Sequence, residues 1–515
     1  MRYDVIVVGS GSAGAIVAAR LSEDPGRSVL LLEAGPDYPT VDALPYKLRR
    51  GYITAADSMP SDHTWGMVGR YTTDSGLGPV PRGKVTGGSS AINGEMFLRG
   101  IPEDFDDWAA AGNPAWSFEQ VLPFFNKLER DLDFQTPYHG AQGPIPIRRW
   151  PRSEWLPPQQ AFFEACREEG FEESADLNAP DSTGVGPLPT NNLDGERWST
   201  NVGYLNPARD RPNLTILAES EVERIQFAGK RASGVVVRRA GEPAIFEADE
   251  IILCAGAVGS PHLLMLSGIG PADQLQAAGM PLLVERPGVG QNLRDHPGVG
   301  PVWSAHPAYA LDPDLPRIQS VLRYTAAGSD LRNDMQLVMI SFTGGRVDRG
   351  GNSRTPLGIA MRAVLNLAKG QGEIRLDPAN PAGQPIIEFN MLADPFDRRR
   401  LREAVRLCVR LGGHPAFREI LGPRIAPTEA EFATDDALDA WMLREVTNTH
   451  HLSGTCKMGP SSDPMAVVSE DGRVHGVEGV RVADAAIMPD CIRANTNATC
   501  MMIGERLADL IVNSR

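Results

Sequence analysis

The sequence predicts an α/β protein of two domains: a Rossmann-like sheet, mainly parallel, and a second domain built on a mainly antiparallel sheet with helices. Three observations carry this. The chain opens with the apolar run Asp4-Val5-Ile6-Val7-Val8, as a central parallel strand buried on both faces should, and enters a glycine-rich turn. Runs such as Gln336-Leu337-Val338-Met339-Ile340 and Glu373-Ile374-Arg375-Leu376 alternate between about residues 301 and 446, the mark of an antiparallel sheet. The tail, from Val480-Arg481-Val482-Ala483-Asp484 onward, then returns to the style of the opening. A chain whose end completes the sheet begun at residue 4 has a second domain inserted between.

The opening motif is Gly9-Ser10-Gly11-Ser12-Ala13-Gly14, followed by the small, apolar helix Ala15 to Leu21 and a second strand, Val29 to Leu32, closed by Glu33-Ala34. Gly9 permits the tight turn, Gly11 lets backbone N–H groups approach a pyrophosphate, and Gly14 lets helix meet strand. Glu33, nineteen residues past the last glycine (33 minus 14), is placed to accept hydrogen bonds from a ribose diol. Gly9, Gly11, Ser12, Ala13, Gly14, Glu33 and Ala34 are therefore expected to hold an adenine dinucleotide. The motif alone does not separate NAD from FAD. A cofactor reaching from one domain to the other favours FAD.

Residues 36–81 lack any sustained period and read as a long loop covering the cofactor. Asp104 to Leu128 reads as helix broken near Gly112-Asn113-Pro114, and Trp155 to Gly170 as an amphipathic helix with Phe162, Phe163 and Cys166 inward. Leu214–Leu217, Val222–Ile225 and Gly234–Val237 read as antiparallel strands. Ile251 to Cys254 reads as a buried parallel strand followed by a helix through Leu266. Asp295-His296-Pro297 is a turn, with His296 an oriented loop residue. Leu401 to Leu411 and Glu429 to Leu443 read as helices, and the last helix starts after Asn495 to Asn497. The division expected is 1–155, 205–300 and 452–515 for the cofactor domain, and 156–204 and 301–451 for the substrate domain.

At 515 residues the chain exceeds a single core. With 50 basic against 65 acidic residues, its net charge of -15 argues against a nucleic-acid partner. No apolar run approaches a membrane span. Cys166, Cys254, Cys408, Cys456, Cys491 and Cys500 are scattered without CxxC spacing, so neither disulfides nor a metal site is expected, and Cys456 and Cys500 read as core thiols. The first strand begins by Asp4, which leaves no room for a signal peptide; a cytoplasmic enzyme is expected.

Five ordered segments together resemble the glucose–methanol–choline (GMC) family of FAD oxidoreductases: the opening glycine motif, Gly83 to Phe97, Gly256 to Gly270, His451-Leu452-Ser453-Gly454-Thr455 and Ala494-Asn495-Thr496-Asn497. Gly83 to Phe97 departs from the family's first signature at Thr86, where an aliphatic residue is usual. The separation of His451 and Asn495, 44 positions (495 minus 451), also matches. The resemblance implies FAD under a substrate-domain sheet, with Gly88, Asn93 and Gly94 along the flavin and Val222 meeting the adenine. Asp484 would lie near the flavin's ribityl and pyrophosphate region, with Ala485, Asn495 and Thr496 also binding the cofactor. Some members attach FAD through a histidine where this chain has Ile92, so non-covalent FAD is expected.

Alcohol oxidation needs a proton removed from O–H while hydride leaves the α-carbon. A neutral imidazole is the natural base, and a second polar side chain must fix the oxygen. His451 takes the first role and Asn495 the second, with the helix after Asn495 aiming its N–H groups at developing negative charge. His450 competes with His451; neighbours on an extended segment face opposite sides, so only one should face the flavin. His450 is assigned to the substrate pocket. The expected reaction is oxidation of a primary alcohol, aryl or short aliphatic, to the aldehyde, with oxygen, a quinone or a protein as final acceptor. The alternatives are a lyase or photoenzyme on the same scaffold, or a nucleotide-binding protein without catalysis.

Overall fold

The computed structural model describes residues 2–51, 62–312, 314–343 and 358–513. Its first sheet has seven strands in the order Leu214–Leu217, Val29–Leu32, Arg2–Val8, Glu242–Leu253, Arg231–Arg239 and Ser220–Ala228, with Val480–Val482 also paired to Glu242–Leu253. Arg2–Val8 lies parallel to both of its neighbours, and Val5 to Val7 are wholly buried, as an apolar run with no polar side must be. The twelve-residue strand Glu242–Leu253 joins two kinds of sheet. Its first half pairs antiparallel with Arg231–Arg239, and its second half runs parallel to Arg2–Val8 on one edge and to Val480–Val482 on the other. Both ends of the polypeptide therefore meet on this strand.

The helix Gly14–Leu21 buries every residue except Arg20. The C-terminal helix Thr496–Asn513 packs on it so closely that a Cβ at Gly504 would lie 2.8 Å from the Ala13 carbonyl oxygen. Glu505, wholly buried, ties the contact: Arg20 donates to it from Nε and Nη2, Lys127 Nζ lies 3.0 Å away, and the Tyr204 hydroxyl donates at 2.7 Å.

A second seven-stranded sheet is antiparallel throughout, in the order Leu421–Ala426, Val302–Ala305, Gly358–Leu365, Met335–Thr343, Ser320–Tyr324 and Gly184–Pro187, with Gly298–Val299 also on Gly358–Leu365. The helix Pro395–Gly412 packs against it.

Three expectations are corrected. Leu214–Leu217 is parallel to Val29–Leu32, not antiparallel: four alternating residues at a sheet edge carry no information on the direction of their partner. Glu373–Arg375 does not share a sheet with Met335–Thr343. It pairs with Ile386–Glu388 in a four-stranded sheet completed by Met67–Arg70 and Leu77–Val80. Residues 36–81 are accordingly no continuous loop, since they contain this hairpin and a helical turn, Tyr46–Arg49; residues 52–61 lie outside those described. The helices Pro102–Ala110, Phe118–Leu128 and Pro157–Glu168 fall where the periodicity places them, with Phe162, Phe163 and Cys166 buried. Among the described residues no helix is long and apolar enough to cross a membrane.

Candidate active site

One cavity of about 1060 Å³ runs from the glycine turn to the segment around residue 450. Its wall includes Gly9, Gly11, Ser12, Ala13, Glu33, Ala34, Gly88, Asn93, Gly94, Val222, Asp484, Ala485, Asn495, Thr496, His450 and His451. Of the residues expected at the site only Gly14 is absent from it. Gly14 serves packing instead: a Cβ there would fall 2.0 Å from the Gly9 carbonyl oxygen. A second cleft, of about 620 Å³, is lined by polar residues such as Arg70, Glu373 and Lys457 and holds none of the expected residues.

The glycines of the turn divide by what their missing side chain spares. Gly9 has a φ of 95° and would press a Cβ to 2.6 Å from the Cys254 carbonyl oxygen. Gly11 would put a Cβ into open space, the nearest atom being the Gly88 Cα at 3.9 Å, and Gly94 and Gly256 likewise meet nothing within 4 Å. Bare backbone thus faces the cavity at three separated places, which suits a long, flat ligand with an anionic middle. Glu33 accepts from the Ser10 N–H (3.0 Å) and hydroxyl (2.7 Å) on one oxygen and from the Gly35 N–H (2.9 Å) on the other. Burial raises its pKa, and these donors oppose the rise. Asp484 binds the Gly256 N–H at 2.8 Å, the Ser260 hydroxyl at 2.6 Å and the Ala486 N–H at 2.8 Å, so it knits the start of the helix Gly256–Leu266 to the cavity wall. The Ser12 hydroxyl donates to Asn497 Oδ1 at 3.0 Å, joining the glycine turn to the C-terminal helix. Asn497 Nδ2 and Asn495 Oδ1 are buried without a protein partner. A cavity of this length, with open glycine backbone at one end and orphaned amide atoms along it, fits FAD. Ile92, on the wall, offers no atom to bond it covalently.

At the far end His451 Nε2 stands 3.0 Å from Asn495 Nδ2, which also faces Met96 Sδ at 3.6 Å. The other ring nitrogen, Nδ1, lies 2.9 Å from the Thr449 hydroxyl and 2.9 Å from Nδ1 of His296. The Asp295 carboxylate accepts the backbone N–H of His451 at 3.0 Å and of His296 at 2.7 Å, pinning both histidines to one anchor. Burial raises Asp295 to about 6, against these N–H donors and Arg82. Burial lowers the pKa of His451, and the adjacent His296 and His450 rings with Arg82 and Arg362 add to the effect. The imidazole is therefore neutral at neutral pH, as a proton acceptor must be.

His450, assigned from the sequence to the substrate pocket, is the neighbour of His451 on this wall. It lines the cavity together with His451, because its own backbone is left-handed, with a φ of 70°, and this breaks the alternation of an extended segment. Such a conformation in a non-glycine residue costs energy and is found at functional sites. Its carbonyl accepts from Arg82 Nη2 at 2.7 Å. His450 is exposed to the open cavity; its enclosure by the cavity wall, then Arg82, Arg362 and Arg317, disfavour the charged ring and lower its pKa.

His296, a loop residue oriented by the Asp295 carboxylate, also packs ring against ring with His451 at 4.9 Å between centroids. Sequence reading also passed over Thr449, Asp295 and Asn497. Asp295 left a trace as the partner of His296 in a turn and Asn497 as the last residue of the Ala494-Asn495-Thr496-Asn497 motif, while Thr449 left none. Cys456 and Cys500 are buried thiols whose pKa burial raises, in the case of Cys500 to about 12.

Comparison with known proteins gives the family and the fold. The GMC oxidoreductase family models match residues 3–298 and 368–504. A GMC-type oxidoreductase of Rhodococcus erythropolis is 35% identical, over 99% of this chain and 98% of its own length. The oxygen-dependent choline dehydrogenase of Sinorhizobium fredii is 35% identical, over 100% of this chain and 96% of its own. The crystal structure of pyridoxine 4-oxidase from "Mesorbium loti" superposes with a TM-score of 0.89 at 30% identity, covering 99% of both chains. The chain belongs to the GMC oxidoreductase family and is an FAD-dependent oxidoreductase acting on CH–OH groups.

Proposed function

We propose that the protein oxidises a primary alcohol, aryl or short aliphatic, to the aldehyde. The observation that carries this reading is the approach of His451 Nε2 to Asn495 Nδ2, 3.0 Å, on the wall of the one cavity that also contains the glycine turn. FAD, when bound, supplies the two-electron acceptor. Gly9, Gly11, Ser12, Ala13, Glu33 and Ala34 would hold its nucleotide half, with Val222 at the adenine. Gly88, Asn93, Gly94, Asp484, Ala485, Asn495 and Thr496 would hold the rest without a covalent bond. On this reading segments 1–155, 205–300 and 452–515 carry the cofactor, and 156–204 and 301–451 carry the alcohol.

The chain's own part is to orient the alcohol and move one proton. Asn495, whose amide donates to His451 Nε2 in this structure, would turn that N–H to the substrate oxygen, freeing the Nε2 lone pair and directing the α-carbon toward the acceptor. His451 Nε2 takes the hydroxyl proton, and the alkoxide character so developed makes hydride departure favourable. His450, neutral and facing the cavity, borders the alcohol's other substituent. The field there is set by Arg82, Arg317 and Arg362, so a cationic alcohol enters against it while an uncharged one does not. This supports aryl or aliphatic alcohols over a quaternary ammonium alcohol. The six free, buried cysteines suit a reducing compartment, and the cytoplasm is the proposed location.

The test is anaerobic addition of benzyl alcohol, pyridoxine, 1-butanol or choline to the yellow holoenzyme, followed by air. Bleaching by one of the first three, with choline slowest, supports the reading. A flavin unbleached by every alcohol defeats it. Fast recovery of colour in air identifies oxygen as acceptor; slow recovery points to a quinone or protein.

A further inference from the structure

The two facing nitrogens of His296 and His451, 2.9 Å apart, can share only one proton between them. Which ring carries it follows from the other contacts. At Nε2 of His451 stands the Asn495 amide nitrogen, which can only donate, so Nε2 must accept and the His451 proton sits on Nδ1. At Nδ1 the Thr449 oxygen is free to accept, because its own proton is directed to the His296 carbonyl at 2.9 Å. His296 Nδ1 must then present a lone pair, which it can do only as a neutral ring.

We infer that His296 is a positioning residue for the base: its Nδ1 lone pair, with the Thr449 hydroxyl, holds the His451 proton on Nδ1 so that Nε2 faces the cavity as the accepting atom. When the alcohol O–H bond breaks and an Nε2–H bond forms, the Nδ1 proton stays on His451. The positive charge that results is met on its far side by the lone pair of His296 rather than by empty apolar wall. Burial lowers the basicity of both rings, that of His296 to about 4, so both are neutral in the resting site. This assistance matters because the surroundings oppose a cation on His451: Arg82 and Arg362 bear on it, and the ring is buried. A neutral acceptor on Nδ1 offsets part of that cost, and an apolar residue there would not.

This inference rests on His451 being the base, and the experiment separates the two. Full-length holoenzymes carrying His296→Leu, His296→Asn and His451→Ala are compared with wild type for flavin content, thermal midpoint and anaerobic flavin reduction by the fastest alcohol of the panel above. The expected result is a limiting rate lowered roughly 100-fold in His296→Leu with KM within about threefold, and restored to within about tenfold in His296→Asn, whose amide oxygen replaces the lone pair. Selective 15N-histidine labelling supplies a readout that needs no turnover. The signal lost in His451→Ala should be an Nδ1–H tautomer in wild type and a tautomer mixture in His296→Leu.

A flavin-replete, stable His296→Leu protein reducing at the wild-type rate would overturn the inference, as would an Nε2–H tautomer for His451. Full speed in His451→Ala would instead sink the assignment of the base, with the tautomer signal still judging His296.

Discussion

Gly11 and Gly14 stand three positions apart in one motif, yet each needs its missing side chain for a different reason. At Gly14 a methyl group would meet the Gly9 carbonyl oxygen at 2.0 Å, while at Gly11 it would enter the cavity. Gly14→Ala should therefore lower folding stability, by about 3 kcal/mol as overpacking does. Gly11→Ala should stay within roughly 1 kcal/mol of wild type. Its loss should instead appear as FAD affinity, weakened by about tenfold or more where backbone can no longer approach the pyrophosphate. Denaturant midpoints and flavin titration of the apoproteins check the contrast. Spacing alone made both residues legible, and Glu33 with them, because the motif is local. His296 was not legible, since a lone histidine in a turn has no pattern, and its 2.9 Å contact with His451 spans 155 positions that only the tertiary fold brings together. His450 was legible as a pocket residue, but the left-handed backbone that puts it on one wall with His451 was not, since alternation was assumed there.

At the scale of elements, the strand Glu129–Asp131, the loop at His139 and the turn at Asp176 meet in a buried ionic cluster. His139 lies 3.0 Å from Glu129 and Asp131 and 2.7 Å from Asp176, while Arg149 binds Asp131 and Asp176. Glu129, Asp131 and His139 are close enough to ligate an ion, but their charges are already matched by Arg99, Arg149 and the imidazolium. Burial works against the charge on His139, and hydrogen bonds to Asp131, Asp176 and Glu129 outweigh it, lifting the ring to about 10 from an ordinary 6.5. The sign follows: the fold binds this proton more tightly than the unfolded chain, so the contribution is full below 6.5 and is lost as pH rises through about 10. The thermal midpoint of wild type should fall across that window. His139→Gln should start lower at neutral pH and fall less. Elements were mostly legible as to kind and position, but not as to pairing. Nothing in Leu214–Leu217 states a parallel neighbour, and nothing in Glu373–Arg375 states that its sheet is completed by Met67–Arg70 from three hundred residues earlier.

Over the whole molecule, the organising fact is that the two chain ends close one cavity. Val480–Val482 completes the sheet begun by Arg2–Val8, Asn497 binds Ser12, and Glu505 gathers Arg20, Lys127 and Tyr204. Removing that buried carboxylate takes the acceptor from the Tyr204 phenol and from Arg20 Nε and Nη2, although Arg20 keeps Glu23 and Lys127 is part-exposed. Glu505→Leu should therefore cost about 2 kcal/mol and loosen flavin together with the fold, as seen by thermal unfolding followed at the flavin fluorescence. The return of the tail to the opening sheet was visible in the sequence as a change of style at Val480. The internal wiring was not, because the partners of Glu505 lie on three different elements.

The central claim is that an imidazole from the tail serves chemistry on a cofactor held by the head. It is tested most directly by rapid anaerobic mixing of flavin-replete His451→Ala with the best alcohol of the panel. The account predicts bound flavin with reduction slowed about 10²- to 10⁴-fold. Flavin bleaching as fast as in wild type would contradict it.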